Sequence, residues 1–563
     1  MTSANGFSRR NFLARGAAAG GAVALGAAGL SACSSGSSTS TTTGAGGSGS
    51  SKPGIGSGTP VRGGALTVGT IAEIDGFYPP ANHWDTNGFL YANTVFDPLM
   101  AVAADGTIKG YLADTMTPNS TYETWTLTLR PGVLFNDGSA LTSAVVKANY
   151  NALAASALTG QALKQIASVD TPDDLTVVYT LTGPNPTFPA GLTTQVGYVV
   201  GEAMIRKAAA NGSGTLVPVG TGPFIYSQWQ PNESFTATRN PHYWRSGLPY
   251  LDQITFKPIP DTSQREATLR SGGVDMIESV DPTTISNFSG SGGSGFQMVD
   301  TRTGVIGQPT FAFIMLNTAV APTSDLGIRQ ALAKGMDQTE VQKVIGGDFA
   351  KPATGVFLPD SPYYNTTDYP TYDPAGATSL VNAYKAQHGK PTVNLMTIPS
   401  PLETKVVQAI QQMWEAVGFN VTLTEVQQAT IIDDFVLGNF HAVTSYQFGA
   451  VNPDLNYVWW STPTISPIGQ IGLNFTRMND PVIEYAMLTG RHTTDQSTRV
   501  TAYQTVNDRL AKNLSYLWIE QYLFSEVADG RVQGFDAWTF PDGTPGYGFD
   551  EGIFVPTQTW LAG

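Results

Sequence analysis

From about residue 61 onward the chain shifts repeatedly between two hydrophobic periods. In TWTLTL, Trp125, Leu127 and Leu129 occupy every second position, which predicts a strand with one buried face. Pro131-Gly132 and then Asn136-Asp137-Gly138 turn the chain after it. The segment GGALTVGTIAEIDGFYPP opens with a short alternating strand and runs into a turn, and DLTVVYTL at 174 to 181 is another strand. LTSAVVKANYNALA, 140 to 153, changes to helical spacing, with Thr142 placed to cap it. SDLGIRQALAKGMD, 324 to 337, predicts a second helix, capped by its serine and apolar at 328, 331, 332 and 336. The clearest unit is SPLETKVVQAIQQMWEAVGFNVTLTEV. Ser400, Pro401 and Glu403 predict a capping box with proline at the first helical position. Val406, Val407, Ile410, Met413, Trp414 and Val417 follow at helical spacing, and Gly418 suits the stop. Phe419, Val421 and Leu423 then alternate as a strand. Helix–glycine–strand units of this kind build α/β lobes.

The first 60 residues follow a different pattern. Ala17 to Leu30 is an uncharged run of 14 residues. As a helix it would be about 21 Å long, against a bilayer core of about 30 Å. It is too short to span and fits the hydrophobic region of an export signal. Upstream, SRRNFLA with Arg9 and Arg10 resembles a twin-arginine export motif, and LSAC at 30 to 33 resembles a bacterial lipoprotein signal. That resemblance implies cleavage after residue 32 and lipidation of Cys33, the single cysteine of the 563-residue chain. The alternative is a structural cysteine near the terminus. Residues 34 to 60 are mostly Ser, Gly and Thr with one charge, Lys52, and carry too little apolar surface to fold. As a flexible coil this stretch reaches about 30 Å. The expectation is a globular body held at the outer face of the cell membrane by a lipid and a tether.

The remaining 500 or so residues suffice for two or three lobes. No later stretch approaches 18 consecutive apolar residues. Removing residues 1 to 32 takes away three arginines and no acid, leaving 27 basic against 44 acidic side chains, net −17. So acidic a body argues against nucleic acid and against lying flat on an anionic membrane. Catalytic signatures are scarce: the sequence lacks HExxH, CxxC, GxxxxGK[ST] and GxSxG. GxGxxG appears at 44 to 49 and 290 to 295, both inside Gly/Ser runs rather than between strand and helix. Histidines 83, 242, 388, 441 and 492 form no i, i+4 pair, so no metal site and no cofactor is expected. Asp433-Asp434 reads as a solvated or capping pair.

Several blocks in order resemble the solute-binding proteins of ABC importers, family 5, the oligopeptide- and dipeptide-binding group. They are VFDPLM (95–100), GYLADTM (110–116), TWTLTLRPGVLFNDGSALTSAVV (124–146), PVGTGPF (218–224), RNPHYWRSGLPYLDQITFKPIPD (239–261), SGGVD (271–275), FIMLNTAVAPTSDLGIRQALAKGMD (313–337), YDPAGATSLV (372–381) and QQMWEAVGFNVTL (411–423). Asn136 and Ala144 stand where the family often has His and Asp. The resemblance implies a periplasmic-binding-protein-like α/β fold of two hinged lobes, with a smaller domain inserted in the first. Lobe I would take 61–100, 220–312 and 525–563, the inserted domain 101–219, and lobe II 313–524. The implied function is capture of a peptide or other small solute between the lobes by a monomer, and its delivery to permease subunits with separate ATPases. It implies binding rather than catalysis; an extracellular hydrolase of peptides or oligosaccharides is the alternative. Three segments match ligand-contact positions. Asn82-His83-Trp84-Asp85 either meets the ligand or is a surface turn. Asn317 either meets it or supports the hinge. QFGAVNPDLNYVWW (447–460) offers Phe448, Asn452, Asp454, Tyr457, Trp459 and Trp460. Were this loop extended, one tryptophan would face the site and the other the core. In peptide-binding members an aspartate of this loop meets the peptide's amine; Ala450 stands there in this chain. Asp454 is a displaced candidate for that task, and an uncharged oligosaccharide or modified peptide becomes an equal expectation.

Overall fold

The computed structural model describes residues 58–212, 216–302, 309–346, 349–548 and 552–563. The export signal, Cys33 and nearly all of the tether therefore lie outside the described residues. Two sheets organise the body. The larger has seven strands in the order 296–300, 525–529, 276–279, 65–70, 253–258, 234–239 and 224–230. Ala65–Thr70 pairs parallel with Gln253–Pro258 along its whole length. The second sheet has five strands in the order 420–425, 392–397, 442–447, 311–316 and 516–521. A four-stranded antiparallel sheet, 113–118, 124–129, 176–181 and 166–173, comes from the stretch between the first two parts of the larger sheet.

Strand Phe311–Leu316, FAFIML, is the fourth of the five strands in the second sheet, between 442–447 and 516–521. Phe311, Phe313 and Met315 enter one apolar core, while Ile314 and Leu316 enter another on the opposite face. A strand covered on both sides reads as a continuous apolar run, which is why alternation is missing here. Helix Pro401–Ala416 covers one face with Val406, Val407, Ile410 and Trp414 buried, and the Trp414 indole donates to the Leu332 carbonyl at 3.0 Å. Strand Thr124–Leu129 buries Trp125, Leu127 and Leu129 as its alternation predicts, and Thr142 caps helix Ser143–Ala155.

Two caps differ from expectation. Helix Leu326–Lys334 is capped by Asp325, whose carboxylate accepts from the Ile328 amide at 3.0 Å, and not by Ser324. A carboxylate one residue closer to the helix is the stronger acceptor at its positive end. Ser400 makes no side-chain cap, so the capping box does not form. Glu403 turns instead towards the Thr397 hydroxyl, 3.4 Å away, and into a cavity described below.

The blocks read from the sequence converge on one buried carboxylate. Asp97 accepts from the Thr221 hydroxyl (3.0 Å), the Tyr243 hydroxyl (3.1 Å) and the Trp244 indole (2.9 Å). Tyr243 also meets Tyr111, which accepts from Arg245. VFDPLM, GYLADTM, PVGTGPF and RNPHYWRSG are thereby drawn together. The glycines of PVGTGPF are required by the same close approach. A Cβ on Gly220 would sit 2.0 Å from the Val95 carbonyl oxygen, and one on Gly222 would sit 2.4 Å from the Val95 carbonyl carbon. Burial lifts the Asp97 acid to about 6 despite its three donors. Asp97→Ala strands three donors in the interior and is expected to cost about 2–4 kcal/mol in urea unfolding, with Asp97→Asn closer to wild type. An Asp97→Ala midpoint equal to wild type would show that the blocks hold together without this carboxylate.

Candidate functional site

The chain passes between the two large sheets twice, and the described ends of the two crossings lie side by side. Strands 296–300 and 525–529 pair in one sheet, and 311–316 and 516–521 pair in the other. The crossings bond to each other between them. The Thr301 amide donates to the Phe524 carbonyl (3.0 Å), the Phe524 amide to the Thr301 hydroxyl (3.2 Å), and the Tyr522 amide to the Thr310 carbonyl (2.9 Å). Over this double crossing opens a cavity of about 1190 Å³, walled by both lobes and by the four-stranded sheet's surroundings. Side chains meet across it. Gln428 donates to Asp85, and the Thr187 hydroxyl reaches Asp454 at 3.3 Å. Lys164 and Gln161 reach the carbonyls of Pro463 and Ile471 beside it.

Of the residues proposed from sequence, His83, Trp84, Phe448, Asp454 and Trp459 line this cavity. His83 is clamped to Asp75 by its amide (3.0 Å) and its Nδ1 (3.3 Å). Burial draws the imidazole pKa down, but the Asp75 bond and charge, with Asp433 and Asp85, outweigh it and raise the value. Trp84 is mostly wall, with its indole on the Gly76 carbonyl at 3.0 Å and its ring stacked on Phe96. Phe448 sits at φ 81°, left-handed backbone that a phenylalanine adopts at a cost of about 1–3 kcal/mol. Contacts with Phe313, Trp460 and Tyr516 hold it there.

Four proposed residues are corrected by the structure, because none of them lines the cavity. Asn317 is fully buried, donating to the Gly438 carbonyl (2.8 Å) and accepting from the Ala319 amide (3.0 Å). Asn452 folds its side chain back to the Asp454 amide and to Arg499. Tyr457 bonds Glu484 and lies under the Arg491 guanidinium, 3.9 Å from its ring centre. Trp460 is 0 % exposed in the lobe II core. The loop is helical over Tyr457–Trp460, not extended, so Trp459 and Trp460 diverge by a helical step and only Trp459 reaches the cavity. Asp454 is in an ion pair with Arg491 at 2.8 Å, both largely buried. Its charge is therefore already balanced within the protein.

Sequence reasoning missed the floor. Tyr446 and Tyr522 stack at 4.2 Å, only 6° from parallel, with Phe524 edge-on to both. A β-bulge between Ala312 and Phe313 leaves Ile519 as an extra residue, so Glu520 pairs with Ala312, as Tyr446 does from the other side. The bulge thus brings Glu520 onto the Tyr446 face. Burial raises the acids of Glu403 and Asp85, and that of Glu520 to about 7. Behind this floor Glu278 and Glu526 are direct cross-strand partners. Burial lifts Glu278 to about 8 and Glu526 far above the ordinary range, and both Glu526 oxygens are without a hydrogen-bond partner. Alternation in SYQF and EQYLF could have put Tyr446 and Tyr522 on strand faces, but their pairing and the bulge are long-range facts. Among the described residues no group of three or more His, Cys, Asp or Glu is arranged to hold a metal ion, and no helix is long and apolar enough to cross a membrane.

With this geometry in view, residues 107–465 match the model of bacterial extracellular solute-binding proteins, family 5. The chain is similar to a putative ABC transporter peptide-binding protein of Brucella ovis, 28% identical over 517 residues, covering 88% of this chain and 93% of that protein. It is also similar to the glutathione-binding protein GsiB of Pectobacterium atrosepticum, 26% identical over 503 residues, covering 84% and 92%. Among solved structures, the oligopeptide-binding protein AppA of Bacillus subtilis, in complex with a nonapeptide, superposes with a TM-score of 0.78 at 19% identity, covering 90% of this chain and 100% of that one.

The buried acids give stability a defined pH dependence. A carboxyl whose folded pKa exceeds its unfolded value of about 4 binds its proton more tightly in the folded state. Its contribution is complete below the unfolded pKa and is lost as pH rises through the folded one. For Glu520 and Glu278 that loss extends to about 7 and about 8. The melting temperature is therefore expected to rise by a few degrees from pH 8.5 to pH 5.5, as followed by scanning calorimetry. Glu526→Gln is expected to raise it at pH 8.5 and flatten the slope. A flat wild-type profile would contradict this account of the floor.

Proposed function

The chain belongs to the bacterial extracellular solute-binding proteins, family 5, the extracytoplasmic receptors of ABC importers, and from that premise we propose that its solute is a peptide. The observation that carries this reading is the cavity of about 1190 Å³ over the double crossing. It exceeds the range of about 300–1,000 Å³ usual for small-molecule sites and has room for several residues of extended chain. Its walls alternate aromatic rings with hydrogen-bonding groups from both lobes, which suits side chains and backbone amides together. The peptide-binding names of the relatives support the same class.

In this reading lobe I (61–100, 220–312, 525–563) and lobe II (313–524) close on the peptide, and the domain 101–219 braces the far side. His83, Trp84, Phe448, Asp454 and Trp459 contact or frame it. The loaded monomer docks on a permease whose partner ATPases supply the energy, and the peptide leaves unaltered. Cys33 carries the lipid that keeps the protein at the membrane. A ligand that bridges the lobes favours the closed state by its differential affinity for it.

Binding is tested by thermal shift and small-angle scattering with peptides of two to nine residues beside neutral oligosaccharides, and with mass spectrometry of the recovered ligand. A bound peptide at about a hundred times its Kd should add about 2.7 kcal/mol of stability, reduce the radius of gyration and be recovered intact. Stabilisation by oligosaccharides alone, or cleaved peptide, would reject the reading. Trp459→Ala is expected to weaken binding by about 1–3 kcal/mol with little loss of stability, whereas Trp460→Ala is expected to destabilise the fold by about 3–5 kcal/mol. For the anchor, Cys33→Ser should release the protein to the medium or leave an uncut precursor in fractionated cells; a processed, membrane-retained variant would reject lipidation.

A further inference from the structure

The cavity has an imbalance of charge that its own side chains do not resolve. Two arginines and His83 line it, and all three are committed, His83 to Asp75. Arg491 is paired with Asp454. Arg265, 1 % exposed, donates to the backbone carbonyls of Glu278 (2.7 Å), Ile259 (2.6 Å) and Pro260 (3.1 Å). Facing them on the floor and its rim are Glu403, Glu520, Asp281 and Asp85. None of these four takes part in an ion pair with a basic residue among the described residues. Each is held by neutral donors only: Glu403 by Thr397, Glu520 by Gln342, Asp281 by Thr283, and Asp85 by Gln428 and the Gly88 amide. Neutral donors hold a carboxyl group in place but supply no paired counter-charge when it ionises.

Between these acids stands the Tyr446–Tyr522 stack, flanked by Phe524. Aromatic faces carry the negative part of the ring quadrupole and attract cations, most strongly where water is excluded. The acids lie close enough to act on the stack. The Tyr522 phenol is pushed up by burial and then by Tyr446, Glu403, Asp281 and Glu520; the Tyr446 phenol is pushed up by burial and then by Asp85, Glu278 and Glu403. Carboxylates and π faces together favour an ammonium or a guanidinium, and they oppose an anion twice over.

We infer that the solute carries a positive charge, seated against the Tyr446–Tyr522 stack and facing Glu403 and Glu520, and that this floor, not the 447–460 loop, selects for charge. The inference rests on the solute-binding reading above and deepens it. For a peptide the cation has two sources, the free amino terminus or a basic side chain, and the floor chemistry is the same for both. This parts from the equal expectation of an uncharged oligosaccharide or modified peptide drawn from Ala450: the loop offers no free carboxylate, but the floor offers several.

The test is calorimetry of the purified full chain with four tetrapeptides, Ala-Lys-Phe-Ala and Ala-Gln-Phe-Ala, each with a free or an acetylated amino terminus. The acetylated Gln peptide is expected to bind at least about tenfold more weakly than the best charged peptide. Which charge matters is read from the two single-charge members. Glu403→Gln and Glu520→Gln are each expected to lower affinity for the best charged peptide by about tenfold and to leave the acetylated Gln peptide unchanged. Melting curves of both variants establish that they are folded, since each replaces an acid by its neutral isostere. Equal affinity for all four peptides, or an equal loss for charged and neutral peptides in both variants, would overturn the charge inference and leave peptide binding intact. Failure of all four beside tight oligosaccharide binding would overturn the peptide reading itself, and this inference with it.

Discussion

The structure depends on a chain that crosses twice between its two large sheets with the crossings hydrogen-bonded to each other. Because strands 525–529 and 516–521 are joined by only Tyr522, Leu523 and Phe524, the sheets cannot separate, and the gap between them is fixed at this floor. The same brevity decides what lines the cavity's base. Tyr522 and Phe524 lie in the crossing and on the cavity floor at once.

Around that floor the molecule keeps an unusual number of acids in a poorly solvated interior. Glu278 and Glu526 face each other across neighbouring strands, and Glu403, Glu520 and Asp85 are pushed up by burial. Such groups weaken a fold at neutral pH, because the charged form is poorly solvated there. By contrast Asp97, also buried, is surrounded by three donors that stitch distant segments together. One kind of buried acid serves assembly. The other, where it lines the cavity as Glu403, Glu520 and Asp85 do, adds a negative field as it ionises, at some cost in stability. In the loop 447–460 the field is cancelled, since Asp454 is matched by Arg491.

Much of the scaffold was legible in advance. Strand 124–129, helix 143–155 and the helix–glycine–strand unit around 401–425 follow from periodicity, because one buried face per element imposes a period of 2 or 3.6. The misreadings were local competitions. Asp325 outdid Ser324 as a cap, and Glu403 turned from its cap to Thr397. At the site, proximity in sequence misled: Asn452, Tyr457 and Trp460 surround Asp454 and Trp459 along the chain but brace the loop from behind.

By itself the sequence determined the α/β class, the order of the family blocks and the acidic balance, since each of these is written in composition or in spacing over a few turns. Tertiary structure alone decided which acids are unpaired and which are matched. Asp454 meets Arg491 from 37 residues away, Glu520 reaches the floor through a bulge, and Tyr446 meets Tyr522 from 76 residues away. Charge balance in a cavity is a property of distances of a few ångströms in a low dielectric, and no local period in a sequence encodes those distances.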